Sequence, residues 1–149
     1  MENPLIEFDG AKSLSNVADL LCDGLNTSTV LVTRTTSNQQ LVLAKAGVEL
    51  PDKYSTCMPL SHSICQHTAA MDYLLVIDDV FVHPLLKNSI VISELLIAAY
   101  IGAPIHVQEG KAIGAICALE RHQRRWSSSD IELITKAART VDRLLIEVI

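Results

Sequence analysis

The sequence predicts an α+β domain, an antiparallel sheet with helices packed against it. Three observations predict it. Two stretches read as β-hairpins, helical apolar spacing recurs near both ends of the chain, and the elements between them are short and mixed.

The first helix starts at Ser13 or Ser15, either of which can cap it. Leu14, Val17, Ala18, Leu21 and Leu25 recur at helical spacing and make one apolar face. Gly24 and Asn26 then end it. Thr29–Thr35 is rich in β-branched residues and reads as a strand. Thr36-Ser37-Asn38-Gln39 is a polar turn, and residues 41–46 alternate as the returning strand. Gly47 and Pro51 mark a loop.

Residues 60–70 read as a short helix with Ser61 as its candidate cap. Residues 74–77 form a short, fully apolar strand, so both of its faces are expected to be covered. Asp78-Asp79 ends it, and His83-Pro84 breaks the chain before a helical piece at 85–88. Residues 97–107 and 112–119 make the strongest pair. Ala99, Ile101, Ala103, Ile105 and Val107 line one face, and Tyr100, Gly102, Pro104 and His106 take the other. Glu109-Gly110 supplies the turn, because glycine tolerates the positive φ a tight hairpin needs. Ile113, Ala115, Cys117 and Leu119 alternate on the way back, and Gly114 marks a close approach to the backbone.

Ser129-Asp130-Ile131-Glu132 fits a capping box for the last helix, with its acids at the positive end of the dipole. Ile131, Ile134, Ala138, Val141, Leu145 and Val148 then form an apolar stripe, widened by Leu133, Ala137 and Leu144. That face is broader than packing on one sheet requires. A helix of another protomer or a neighbouring domain is the expected partner. The chain stops at Ile149 without Gly or Pro, so the helix is expected to continue in a longer protein.

Composition narrows the function. A length of 149 residues suits one domain spanning 1–149. With 49% apolar and 19% charged residues, the chain can bury a core. A net charge of −5 without a Lys/Arg run argues against nucleic acid, whose affinity comes mainly from neutralised phosphates. Arg121, His122, Arg124 and Arg125 read as a solvated loop. The most apolar stretch, 90–105, is broken by Ser93, Glu94, Gly102 and Pro104 and falls short of the ~20 residues of a membrane helix. No secretory signal precedes the first helix. The cysteines sit in apolar contexts, as buried hydrophobes do, which implies a reduced, cytoplasmic protein.

Taken in order, several motifs resemble the GAF domains of bacterial signalling proteins. The helix start is Pro59-Leu60-Ser61-His62-Ser63-Ile64-Cys65-Gln66-His67. Leu75-Val76-Ile77-Asp78-Asp79, followed by His83-Pro84 and Asn88, is similar to the family's short strand and loop. Ala98-Ala99-Tyr100-Ile101-Gly102-Ala103-Pro104-Ile105 and the hairpin Glu109 to Cys117 come next. Arg125-Trp126-Ser127 with Asp130 leads into the last helix. The resemblance implies a central antiparallel sheet of about five to six strands. The N- and C-terminal helices would cover one face, and short helices and loops would cover a ligand pocket on the other. It also implies a regulatory input domain that dimerises through its terminal helices. There are departures. His83 stands where many of these domains have an acid, and Ala98 and Ala99 where many have a basic or aromatic residue. The cyclic-nucleotide motif and the cysteine arrangement of the family's free methionine sulfoxide reductases are not evident. Cys65 lacks the context of a chromophore attachment site.

The residues also offer several sharper chemistries. Cys57, His62, Cys65 and His67 have zinc donors, but the spacing C-x4-H-x2-C-x-H is not a usual zinc pattern. Cys65 near His62 suggests a thiolate–imidazole pair, yet no third group is identifiable. His62, His67, His83 and His106 are each a possible haem ligand and each more ordinary as a polar loop residue or a pocket hydrogen-bonder. Asp78 and Asp79 read as one turn cap and one solvated carboxylate. Tyr100 is the stronger ligand contact, with Gly102 and Gly114 leaving room beside it.

The expectation is a sensory domain with no chemistry of its own, no cofactor and no metal. It would bind a small molecule or a partner and signal through its terminal helices to an output domain. The candidate ligand residues are Tyr100, Gly102, His62, Cys65, Asp78 and His83. The expected partners are a small molecule and a second copy, with no nucleic acid and no membrane. A ligand-free dimerisation scaffold and a cysteine-dependent enzyme of the free methionine sulfoxide reductase type are the alternatives.

Overall fold

In the computed structural model, residues 8, 10–47, 57–59, 63–84, 86, 96–107 and 110–148 are described. Helix α1 spans Leu14–Leu25, and the Ser13 hydroxyl caps it by accepting from the Asn16 amide at 3.1 Å. It ends at Asn26, which adopts the left-handed conformation (φ 52°) that asparagine tolerates. Strands β1 (Thr29–Thr35) and β2 (Gln39–Gly47) form the first hairpin. The strand β3 (Cys57–Pro59) follows, then helix α2 (Cys65–Met71), strand β4 (Leu75–Ile77) and a 3-10 turn at Val80–Val82. Strands β5 (Ala99–Ile105) and β6 (Gly114–Glu120) make the second hairpin, and helix α3 (Ser128–Val148) closes the order.

The six strands form one antiparallel sheet in the order β3-β2-β1-β6-β5-β4. Strand alternation divides the core in two. Val30, Val32, Ile101, Ile105, Ile116 and Ala118 pack against α1 and α3. Leu31, Tyr100, Ala115, Cys117 and Leu119 face the other way, toward α2. The architecture is therefore α+β, with the terminal helices on one face and a short helix on the other. Among the described residues no helix is long and apolar enough to cross a membrane.

Several sequence expectations need correcting. The region read as a loop after Gly47 contains β3, a strand too short to show a period. Helix α2 begins at Cys65, with the Ser63 hydroxyl accepting from the Gln66 amide at 3.1 Å; residues 60–62, including the proposed cap Ser61, lie outside the described residues. Most of the helical piece at 85–88 lies outside them too. Strand β4 is not covered on both faces. Val76 is exposed, because β4 is the edge strand and the helix layer packs on the strands further in. The capping box of α3 sits two residues earlier than expected. The Asp130 carboxylate accepts from the Ser127 amide at 2.9 Å, and the Ser127 hydroxyl accepts from the Asp130 amide at 3.1 Å.

Arg124 is not part of a solvated loop. Its guanidinium donates to the Leu25 carbonyl at 2.7 Å and the Asn26 carbonyl at 3.4 Å, groups that the end of α1 leaves without helical partners. It also pairs with Glu120 at 2.8 Å, reaches Asp130 at 3.4 Å and lies 4.4 Å from the centre of the Trp126 ring. Glu120 accepts a further hydrogen bond from the Ser28 hydroxyl at 2.6 Å. Burial alone would raise the Glu120 carboxyl, but hydrogen bonds from Ser28, Arg124 and Thr27 outweigh it and hold it below the usual range.

A carboxylate held low in the folded state stabilises the fold above its unfolded pKa. That contribution is lost as pH falls through the folded pKa. Glu120→Gln should cost about 1.5–3 kcal/mol at neutral pH. It should also flatten the acid limb of the stability profile, measured by urea denaturation between neutral and acid pH. An acid limb unchanged by the substitution contradicts this account.

Candidate functional site

Helix α2 lies across β1, β5 and β6. Cys65 and Thr68, one turn apart, share its buried face. Tyr100 rises from β5 beneath them, fully buried. Its hydroxyl is 2.7 Å from Thr68 Oγ1 and donates to Cys65 Sγ at 3.4 Å, so Thr68 is the donor to Tyr100. Cys117 on β6 lies opposite Gly102 on β5, and its side chain is buried in the same layer as Cys65. The Cys117 hydrogen bond, aided by Tyr100 and Thr33, holds the Cys65 thiol below its usual range against the opposing effect of burial. Cys117 is pushed well up by the same hydrogen bond and by burial. Burial does the same to Tyr100.

The structure brings three of the six candidate residues together: Tyr100, Gly102 and Cys65. The room beside Gly102 is filled by the Tyr100 phenol itself, and a Cβ there would collide with the Tyr100 hydroxyl. Gly114 is equally confined, against the backbone of Thr33. Asp78 lies elsewhere, at the end of β4. Its carboxylate accepts from the Trp126 amide at 3.2 Å and its carbonyl from the Arg124 amide at 3.2 Å. Asp79 caps the 3-10 turn by accepting from the Phe81 amide at 3.0 Å, and accepts from Gln123 at 2.8 Å. His83 ends that turn and is partly buried. Burial and the nearby His83 hold His67 below the usual imidazole range. His62 lies outside the described residues. Among the described residues no group of three or more His, Cys, Asp and Glu side chains is placed to hold a metal ion.

An open cleft of about 400 Å³ runs along the flank of α2. Helix α2 supplies Gln66 and Ala70, its C-cap supplies Asp72, the end of β1 supplies Thr35, and the chain entering β6 supplies Lys111 and Ile113. Thr35 Oγ1 is buried without a hydrogen-bond partner, the one such side-chain atom among the described residues. Asp72, in the left-handed conformation that ends α2, has a second role. Its carboxylate is 2.6 Å from His106 Nε2. His106 Nδ1 is 3.5 Å from the carboxylate of Asp142, which also accepts from the His106 amide at 2.7 Å. Asp142 belongs to α3. A rim residue of the cleft is thus tied through one imidazole to the C-terminal helix. From the sequence His106 is a possible haem ligand and, more ordinarily, a polar loop residue or pocket hydrogen-bonder, while Asp72 and Asp142 carry no signal. Their separations from His106, 34 and 36 positions, left no local signal.

The family model for the GAF domain matches residues 9–143, and the chain belongs to that family. Solved structures share the fold at low identity. A GAF domain of phosphoenolpyruvate-protein phosphotransferase from Acinetobacter has a TM-score of 0.71 at 11% identity, over 95% of this chain and 87% of that one. Free methionine-R-sulfoxide reductase from Neisseria meningitidis, in complex with its substrate, has a TM-score of 0.70 at 20% identity, over 90% of this chain and 75% of that one. The blue-light absorbing form of the PixJ GAF domain from Thermosynechococcus elongatus has a TM-score of 0.68 at 16% identity, over 91% of this chain and 86% of that one. No curated protein matches the chain in sequence.

These neighbours correct one expectation. The sequence alone predicts a module without chemistry of its own. Free methionine-R-sulfoxide reductases from several sources have this fold, so belonging to the family is no ground for setting catalysis aside.

The packing of Tyr100 over Gly102 is directly testable. Gly102→Ala should destabilise by about 1–3 kcal/mol through overpacking. Combined with Tyr100→Leu, which vacates the space, the added cost should shrink. A double-mutant cycle from denaturation midpoints should give a coupling of about 0.5–3 kcal/mol. Strictly additive costs would show that the two side chains do not compete for this space.

Proposed function

We propose that this domain is a regulatory sensor whose ligand cleft lies along α2 and whose output is the C-terminal helix. The observation that carries the reading is the Asp72–His106–Asp142 connection, which joins the rim of the cleft to α3. The unpartnered Thr35 hydroxyl supports a ligand in the cleft, since a buried polar atom without a partner costs about 1–3 kcal/mol that a ligand hydrogen bond would recover. Ala69, Ala70 and Ala112 give the cleft an apolar lining, and Lys111 places a positive charge at its edge. A small molecule with an apolar body and a polar group suits that lining. A ligand shifts the helix only by binding its two settings unequally, and Asp72 is the group through which it would do so. In this reading the domain acts inside a larger cytoplasmic signalling protein, pairs with a second copy through its terminal helices, and passes the shift to an output domain.

A second reading, cysteine chemistry on a sulfoxide, is favoured by the Cys65 thiol, held low by its hydrogen bonds. It requires α2 to open, because Cys65 and Cys117 are both buried. Reductase activity toward free methionine sulfoxide that disappears in Cys65→Ser would support it.

Native mass spectrometry of the protein purified without refolding tests the first reading. The expected result is a co-purifying mass that is lost in Thr35→Val, with stability unchanged or higher. Hydrogen exchange in the second half of α3 should differ between loaded and stripped protein. In His106→Ala the mass should remain and the exchange difference vanish. Identical exchange in loaded and stripped wild-type protein would sink the sensor reading.

A further inference from the structure

The fold leaves two donors unused on the lining of the cleft. The Thr35 hydroxyl is buried without a partner. The Lys111 ammonium makes no ion pair or hydrogen bond with a described residue. Both sit on adjoining backbone. The Thr35 amide donates to the Ile113 carbonyl at 2.8 Å, and the Ile113 amide donates to the Ile105 carbonyl at 2.8 Å. The chain that carries Lys111, two residues before Ile113, is thereby fixed beside the end of β1.

A hydroxyl and an ammonium on one wall can both donate to the same group. An ionised carboxylate accepts with both of its oxygens, and its hydrogen bond to an ammonium is charge-assisted. The rest of the lining is mostly hydrocarbon. Ala69 and Ala70 follow Gln66 by three and four positions, so all three lie on one flank of α2. Their methyl groups leave room that longer side chains would fill. Ala112 and Ile113 extend the apolar surface on the other side.

Resting on the reading of this cleft as the ligand site, we propose that its occupant is a small aliphatic monocarboxylate, bound through its carboxylate by Lys111 and Thr35. Its hydrocarbon body lies along Ala69 and Ala70. The Asp72 carboxylate, 2.6 Å from His106 Nε2, is on the same lining. It opposes a second negative charge on the ligand, so dianions are disfavoured.

The test is an amide NMR titration of the native chain with 4-methylpentanoate, and with 4-methylpentanamide as its uncharged counterpart. The carboxylate should bind saturably, and the amide about tenfold more weakly or worse. Lys111→Met should weaken the carboxylate about tenfold or more and leave the amide unchanged. Added salt should weaken the carboxylate alone. Ala70→Leu should exclude both compounds. Lys111 and Ala70 are exposed, so neither substitution disturbs the core. Inorganic phosphate should not compete. Equal affinity for acid and amide overturns the proposal. So does carboxylate binding that survives Lys111→Met or Ala70→Leu, or the absence of any saturable shift with the carboxylate. Failure of the sensor reading looks different. A neutral co-purifying compound that Ala70→Leu excludes would overturn the carboxylate and leave the sensor standing. Carboxylate binding through Lys111 without any change of exchange in α3 would do the reverse.

Discussion

The guanidinium of Arg124 is the point on which the helix layer depends. It satisfies the last carbonyls of α1, pairs with the carboxylate that ends β6, and reaches the first turn of α3. Both terminal helices and the sheet are therefore referenced to one side chain. Arginine suits the position because its planar fork carries several donors in fixed directions and its flat face rests against Trp126. Trp126 in turn donates its indole N–H to the Ile77 carbonyl at 3.1 Å, which brings the edge strand β4 into the same cluster. A shift of α3 at this end would disturb all of these contacts together. Further along the helix Asp142 meets His106, and Arg139 pairs with Asp142 and donates to the Pro104 carbonyl at 2.9 Å. That is the end connected to the cleft.

The two faces of the sheet are built on different principles. The helix face is closed by hydrocarbon. The α2 face contains a chain of hydrogen-bonded groups, Thr68, Tyr100 and Cys65, with Cys117 buried in the same layer. Such a network is costly when incomplete and specific when complete. It fixes where α2 sits more narrowly than apolar contact alone. The buried Ser63 and Gln40 side chains, hydrogen-bonded to each other, do the same at the start of the helix.

What could be read from the sequence follows from the range of each signal. Strand β1 and helix α1 were legible because periodicity and caps act over a few residues. The α3 cap was misplaced because Ser127 to Asp130 and Ser129 to Glu132 have the same spacing, and only the backbone entering the helix selects between them. Three-residue β3 has no period to detect. Tyr100 was correctly placed on the face away from Ile101 and Ile105, but the identity of its neighbours depended on how α2 crosses the sheet. Arg124 looked like a surface charge because its partners Leu25 and Asn26 lie 99 and 98 positions away. The expectation of a domain without catalysis extended a resemblance of fold to a question that only the site can answer.

Asp72 carries one further consequence. Its backbone holds φ at 53°, a region that suits glycine better than a residue with a Cβ. Local backbone preference and the tie to His106 therefore pull this position toward different residues. Glycine would end α2 at least as well and leave the sheet and both cores untouched, yet it would sever the rim of the cleft from the C-terminal helix. Drift at this codon would leave the fold intact and remove only the contact between the end of α2 and His106.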